Sequence, residues 1–172
     1  IKETSLYLLK RGIIPVLIGG NQDNTYALYR AFDHLEQLVN IASVSAFFDF
    51  GDDTEIFSEQ SYVSRILMEP PTNLQHFTNI GYQTYYNPQE SKDLLQKMYF
   101  ESYRLGEITQ YMEQVEPILR NIDIMSLNMT SIQASDIDEP EGLVNGFTGR
   151  EICTISRYAG LSSQLSVLGI SN

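Results

Sequence analysis

Short apolar runs that give way at once to polar segments recur along this chain, and stretches with helical spacing separate them. Residues 13–18, 38–48 and 122–127 are runs of strand length, fit for burial on both faces of a sheet. Pro15 removes a ladder donor from the first of them and so predicts an edge or irregular position. Residues 77–82 and 165–170 read as two further strands. Helical spacing covers residues 23–35, 58–68, 88–101, 108–119 and 148–158, and a helix end at residues 5–10 is stopped by Gly12. Pro88 suits a first turn, Pro117 is expected to limit the regular end of its helix, and Gly160 to close the last one. Strands alternating with helices predict a three-layer α/β/α architecture around a predominantly parallel sheet. With no repeat, low-complexity tract or linker, residues 1–172 form one expected domain.

Composition excludes several classes of function. At 42% hydrophobic and 19% charged residues the chain can bury a core and is not of disordered type. A net charge of -11 argues against nucleic acid, whose phosphates demand clustered Lys and Arg, and against an anionic membrane surface. A single cysteine, Cys153, excludes an intrachain disulfide framework and a Cys-based zinc site. Placed between Ile152 and Ile155, it is expected to be a small buried residue. No apolar run reaches membrane-span length and no signal peptide is visible, so a soluble, cytoplasmic protein is expected. A homo-oligomer is left open.

In an open parallel sheet, ligands sit beyond the carboxyl ends of the strands. Three polar segments lie at such ends: Gly19-Gly20-Asn21-Gln22-Asp23, Ser45-Ala46-Phe47-Phe48-Asp49, and the stretch from Ser126 through Asn128 and Thr130 to Gln133. In order and spacing they resemble the metal-binding segments of the ureohydrolase superfamily (arginase, agmatinase, formimidoylglutamase), with a closer likeness to a divergent bacterial branch near the formimidoylglutamases. The resemblance implies an arginase-like fold. It covers the later part of a family member, so a piece of a longer protein, incomplete at both ends, is expected.

In that family the segments hold two manganese ions bridged by hydroxide, which attacks a guanidinium or amidine carbon. Laid on the pattern, the ligand positions fall on Gln22, Ser45, Phe47, Asp49, Asn128 and Thr130, with a later aspartate falling on Gln133. Asp49 alone keeps a ligand of the family's kind. Two divalent cations bring four positive charges that one carboxylate cannot offset in a partly buried crevice, so no metal cofactor is expected. Neither His34 nor His76 is placed to replace the missing ligands. A fourth segment, Asn145-Gly146-Phe147-Thr148-Gly149-Arg150-Glu151, resembles the family's Gly-Gly-Leu-Thr-x-Arg-Glu. The resemblance gives Glu151 the role of facing the planar cation of a small guanidinium or amidinium ligand, which a carboxylate can bind through paired hydrogen bonds. The plainer reading of Glu151 is an acid in the first turn of a helix, favoured by the dipole.

Other features read as structural. Gly19-Gly20 opens a tight turn, lacking a third glycine or a P-loop lysine, with Asn21 and Asp23 as expected helix caps. The acidic stretches 49–55 and 136–141 read as solvated loops without EF-hand spacing. The aromatic stretch 82–86, with Tyr99, Phe100 and Tyr103, reads as packing. Three functions compete, in this order. The first is a ureohydrolase-fold protein that has lost its metals and now binds or scaffolds. The second is a working hydrolase of C–N bonds in linear amidines, with a rearranged manganese site. The third is a nucleotide-binding α/β domain, for which only Gly19-Gly20 speaks.

Overall fold

The computed structural model describes residues 1–35, 37–50, 61–137 and 142–172. Among these lie strands β1 (Val16–Ile18), β2 (Val39–Val44), β3 (Leu74–Tyr82), β4 (Glu101–Arg104), β5 (Ile124–Asn128) and β6 (Val167–Ser171). The helices are α1 (Lys2–Leu9), α2 (Asp23–Tyr29), α3 (Tyr62–Met68), α4 (Gln89–Lys97), α5 (Leu105–Gln110), α6 (Val115–Leu119) and α7 (Gly149–Leu161). The strands form one sheet in the order β1-β6-β5-β2-β3-β4, and every pairing is parallel. The parallel sheet expected from the β–α alternation is present.

Helices cover both faces, as the two-sided burial of the strand runs requires. On β2, Ala42 and Val44 join a core with Ile108, Val115, Leu119 and Ile155 from α5, α6 and α7. Val39 and Ile41, on the other side of the same strand, pack with Leu28, Tyr29, Val63 and Ile66 from α2 and α3. All residues of β5 are buried. Burying a side chain of this size contributes about 1.5–3 kcal/mol, so these two layers dominate the stability of the fold.

Several expected boundaries need correction. The strand expected at 13–18 is shorter, starting at Val16 after Pro15, and it lies at the sheet edge as the proline predicts. The helix expected at 88–101 ends at Lys97 and is followed by an edge strand, β4, that the periodicity conceals. Tyr99 makes the break with a φ of 57, a left-handed turn unsignalled by glycine. The helix expected at 108–119 is two helices joined by a 3-10 turn at Met112–Gln114. Pro117 lies in the first turn of α6, where its missing N–H would lack an intrahelical partner anyway, so it opens that helix rather than limiting its end. Residues 23–35 are likewise divided, α2 giving way to a 3-10 turn at Arg30–His34.

Gly160 sits inside α7, which ends at Leu161 with Ser162 as its cap. Cys153 is exposed, because α7 turns Ile152, Ile155 and Ala159 inward instead. The acidic stretch 51–55, the start of the helix expected from residue 58, and residues 138–141 lie outside the described residues.

Candidate functional site

The sheet order sets β5 and β2 side by side and brings β1 in through β6, so the segments beyond their carboxyl ends converge. Gln22 precedes α2, Ser45 and Asp49 follow β2, and Asn128 ends β5; all four are buried. Their side chains make one directed chain of hydrogen bonds. The Thr130 backbone N–H and hydroxyl donate to Asn128 Oδ1 at 2.9 and 2.8 Å. Asn128 Nδ2 donates to Gln22 Oε1 at 2.6 Å, and Gln22 Nε2 donates to Asp49 Oδ2 at 3.0 Å. Ser43 adds a long bond to the same carboxylate oxygen at 3.5 Å. Ser45 turns its hydroxyl to accept from the Phe47 backbone N–H at 3.1 Å.

Burial governs the charge state of Asp49. Loss of water pushes its carboxyl well above the usual carboxylate range, and the hydrogen bonds from Ser43, Ser45 and Gln22 only partly oppose this. Its Oδ1 is buried and makes no hydrogen bond among the described residues. The backbone at Asp49 has φ 58, a left-handed conformation that a short polar residue tolerates better than most. The neighbourhood also holds residues that no sequence signal singled out. Tyr62 on α3 is fully buried, its hydroxyl makes no hydrogen bond among the described residues, and burial pushes that phenol well up. Thr25 pairs its hydroxyl at 2.6 Å with that of Ser126, the first residue of the third polar segment.

Phe47 does not enter this network. Its ring lies 5.1 Å from that of Tyr86, against the loop after β3, while Phe48 packs inward on Tyr82 at 4.8 Å. Asn87 fixes that loop by donating to Ala46 O and Gln83 O and accepting from the Phe48 N–H. Gln133 donates to Asp136 at 2.8 Å, away from the crevice. Asp136 accepts the Gly149 backbone N–H at 2.8 Å, which holds its carboxyl below the usual range and ties the loop to the start of α7. Gln22 rather than Asn21 or Asp23 is the residue before α2, without a side-chain cap bond of its own, and Asp23 pairs with Arg65 at 3.3 Å.

Glu151 forms a reciprocal cap with Thr148. Its Oε2 accepts from the Thr148 N–H at 2.7 Å and the Thr148 hydroxyl at 2.8 Å, while its own N–H donates to Thr148 Oγ1 at 3.2 Å. The plainer reading of this residue therefore holds structurally. A second carboxylate oxygen remains for a ligand, but the bidentate fork of a planar cation would have to compete with the cap.

A pair of divalent cations does not fit these side chains. Gln22 aims an N–H donor at the carboxylate oxygen a cation would need, and Asp49 sits where burial favours its uncharged form. Among the described residues, no three His, Cys, Asp or Glu side chains come together. The arrangement anchors the loops beyond β2 and β5 through these polar side chains.

The all-parallel sheet with polar segments converging at its strand ends is the frame of a ureohydrolase-type protein. The chain belongs to the arginase family, whose sequence profile matches residues 1–138. No curated protein matches it in sequence. Among solved structures it is similar to Trypanosoma cruzi formiminoglutamase with Mn2+2, at 16% identity and a TM-score of 0.85, covering 99% of this chain and 61% of that one. Formimidoylglutamase from Bacillus subtilis gives 17% identity and a TM-score of 0.83, covering 99% and 57%. A T. brucei arginase-like protein, in a variant with three serines changed to aspartate and an arginine to histidine, gives 15% and 0.74, covering 99% and 54%. The chain thus spans little more than half the length of these structures, and at such identities the likeness carries the fold alone.

Proposed function

We propose that this chain is an arginase-family protein that has lost the dimanganese centre and its catalysis, and that serves as a binding or structural pseudoenzyme. One observation carries this reading. Four of the side chains at the family's ligand positions hydrogen-bond in one series from Thr130 to Asn128 to Gln22 to Asp49, with Gln22 bridging Asp49 and Asn128. A ligand set kept for metal leaves lone pairs aimed at a common point; here an amide N–H occupies the key one. The T. brucei relative, which in one variant received aspartates and a histidine, is a neighbour of the same fold. Those are the residue types this chain lacks at Ser45, Phe47, Asn128 and Thr130. Glu151 leaves one carboxylate oxygen for a small guanidinium or amidinium ligand, so binding is separable from turnover.

The second reading, a hydrolase of C–N bonds in linear amidines with a rearranged site, has one point in its favour: Asp49 Oδ1 makes no hydrogen bond among the described residues. Metal analysis after incubation with manganese, together with urea and formamide release assays on arginine, agmatine and formiminoglutamate, decides between the two. Expected are no stoichiometric manganese and no enzyme-like turnover. Metal-dependent turnover abolished by Asp49→Ala would overturn the proposal.

A further inference from the structure

At the opposite end of the sheet, where β2, β3 and β4 begin, a cavity of about 530 Å³ opens between the strands and α6. It is about 16 Å from the Asp49 crevice along β2, and the polar network above does not reach it. Its floor is built by cross-strand register, with Asn40 beside His76 and Thr78 beside Glu101. Pro117 and Ile118 of α6, with Ile122, supply an apolar wall. A space of this size, apolar on one side with a few convergent polar groups, has the form of a small-molecule site.

Two observations indicate what it takes. Thr78 is 3% exposed and lines the cavity, yet its hydroxyl makes no hydrogen bond among the described residues. That hydroxyl opens to the cavity and can donate to or accept from a ligand's polar group. The second observation is charge. Glu101 is the carboxylate at this cavity, and no lysine or arginine among the described residues lines it. Tyr103 donates to Glu101 Oε2 at 3.0 Å, its phenol pushed up to about 12 by burial and by that carboxylate. His76 Nε2 lies 3.7 Å from the same oxygen. With one carboxylate oxygen engaged, the group is poorly set for the two-pronged hydrogen bonding of a guanidinium and better set for a compact ammonium.

We propose that this cavity is a binding site for a small primary-amine cation bearing a hydroxyl, its ammonium on Glu101 and its hydroxyl on Thr78. The proposal is independent of any ligand at Glu151. Calorimetry and amide-shift titration with aminobutanol test it, with butanediol and hydroxybutyrate as neutral and anionic partners of the same length. Expected is saturable binding of aminobutanol alone, with shifts centred on His76, Thr78 and Glu101. Glu101→Gln should weaken it about fivefold, as for a half-exposed ion pair. Thr78→Val should weaken it about tenfold without loss of fold, since only a hydroxyl is removed. Glu151→Gln should leave it unchanged. Absence of saturation, equal binding of butanediol, indifference to both cavity variants, or loss in Glu151→Gln would each overturn the proposal.

Discussion

Gln22 Nε2 donates to Asp49 Oδ2 at 3.0 Å across 27 positions of chain, and both side chains are buried. The same Gln22 accepts from Asn128 at 2.6 Å, so one neutral amide joins the ends of three separate segments. This bridge acts as a structural clasp between the loops after β2 and β5. Gln22→Ala leaves Asp49 Oδ2 and Asn128 Nδ2 short of partners. Each such loss costs about 1–3 kcal/mol, so the variant should lose about 2–4 kcal/mol in urea unfolding. Combined with Asn128→Ala, the double variant should be less destabilised than the sum of the two, because both remove the same bond.

Asp49 makes stability depend on pH in the direction opposite to that of a paired carboxylate. Its folded-state pKa is raised by burial, so above the unfolded-state value the folded protein holds a proton that the unfolded chain releases. This contribution to stability is therefore present at low pH and declines as pH rises from the unfolded-state value toward the folded one. Asp49→Asn keeps an acceptor for Gln22 and removes the ionisation. Thermal midpoints should coincide for the two proteins near pH 4, and the variant should unfold at higher temperature near pH 7. A variant less stable at neutral pH would show that the carboxylate is charged and compensated.

Gly146 places the segment carrying Phe147 and Glu151. A Cβ there would lie 2.6 Å from Gln133 N and from Ser131 O, both backbone atoms that cannot turn aside. The Phe147 N–H to Ser131 O and Gln133 N–H to Phe147 O bonds fix this close approach at 2.8 and 2.9 Å. Gly146→Ala should cost about 1–3 kcal/mol by overpacking. Denaturant titration measures the loss, and hydrogen exchange should place the loosened amides at Gln133 and Phe147.

Tyr99 carries a left-handed backbone at 88% exposure, so its side chain gains little from packing. The Phe100 N–H to Leu95 O bond at 2.9 Å closes the end of α4 around it. Tyr99→Gly should stabilise the fold by about 1 kcal/mol through relief of that conformation. An increased urea midpoint with an unchanged slope checks it.

The alternation that yields the parallel sheet, the edge position of β1 through Pro15 and the identity of every side chain at the ligand positions are legible in the chain alone. These are local facts: burial on two faces writes an apolar run, and a missing N–H or carboxylate is visible in one residue. The remaining features depend on contacts between distant segments. The edge strand β4 is four residues long with Tyr103 its single largely apolar side chain, and its helix stop at Tyr99 lacks the usual glycine, so no periodicity marks it. The bridging role of Gln22, the buried phenol of Tyr62 and the cavity beneath Asn40, Thr78 and Glu101 follow from the strand order β6-β5-β2-β3-β4. That order sets which side chains share a neighbour, and shared neighbours decide whether a carboxylate is charged, an amide is satisfied, or a hydroxyl faces a cavity.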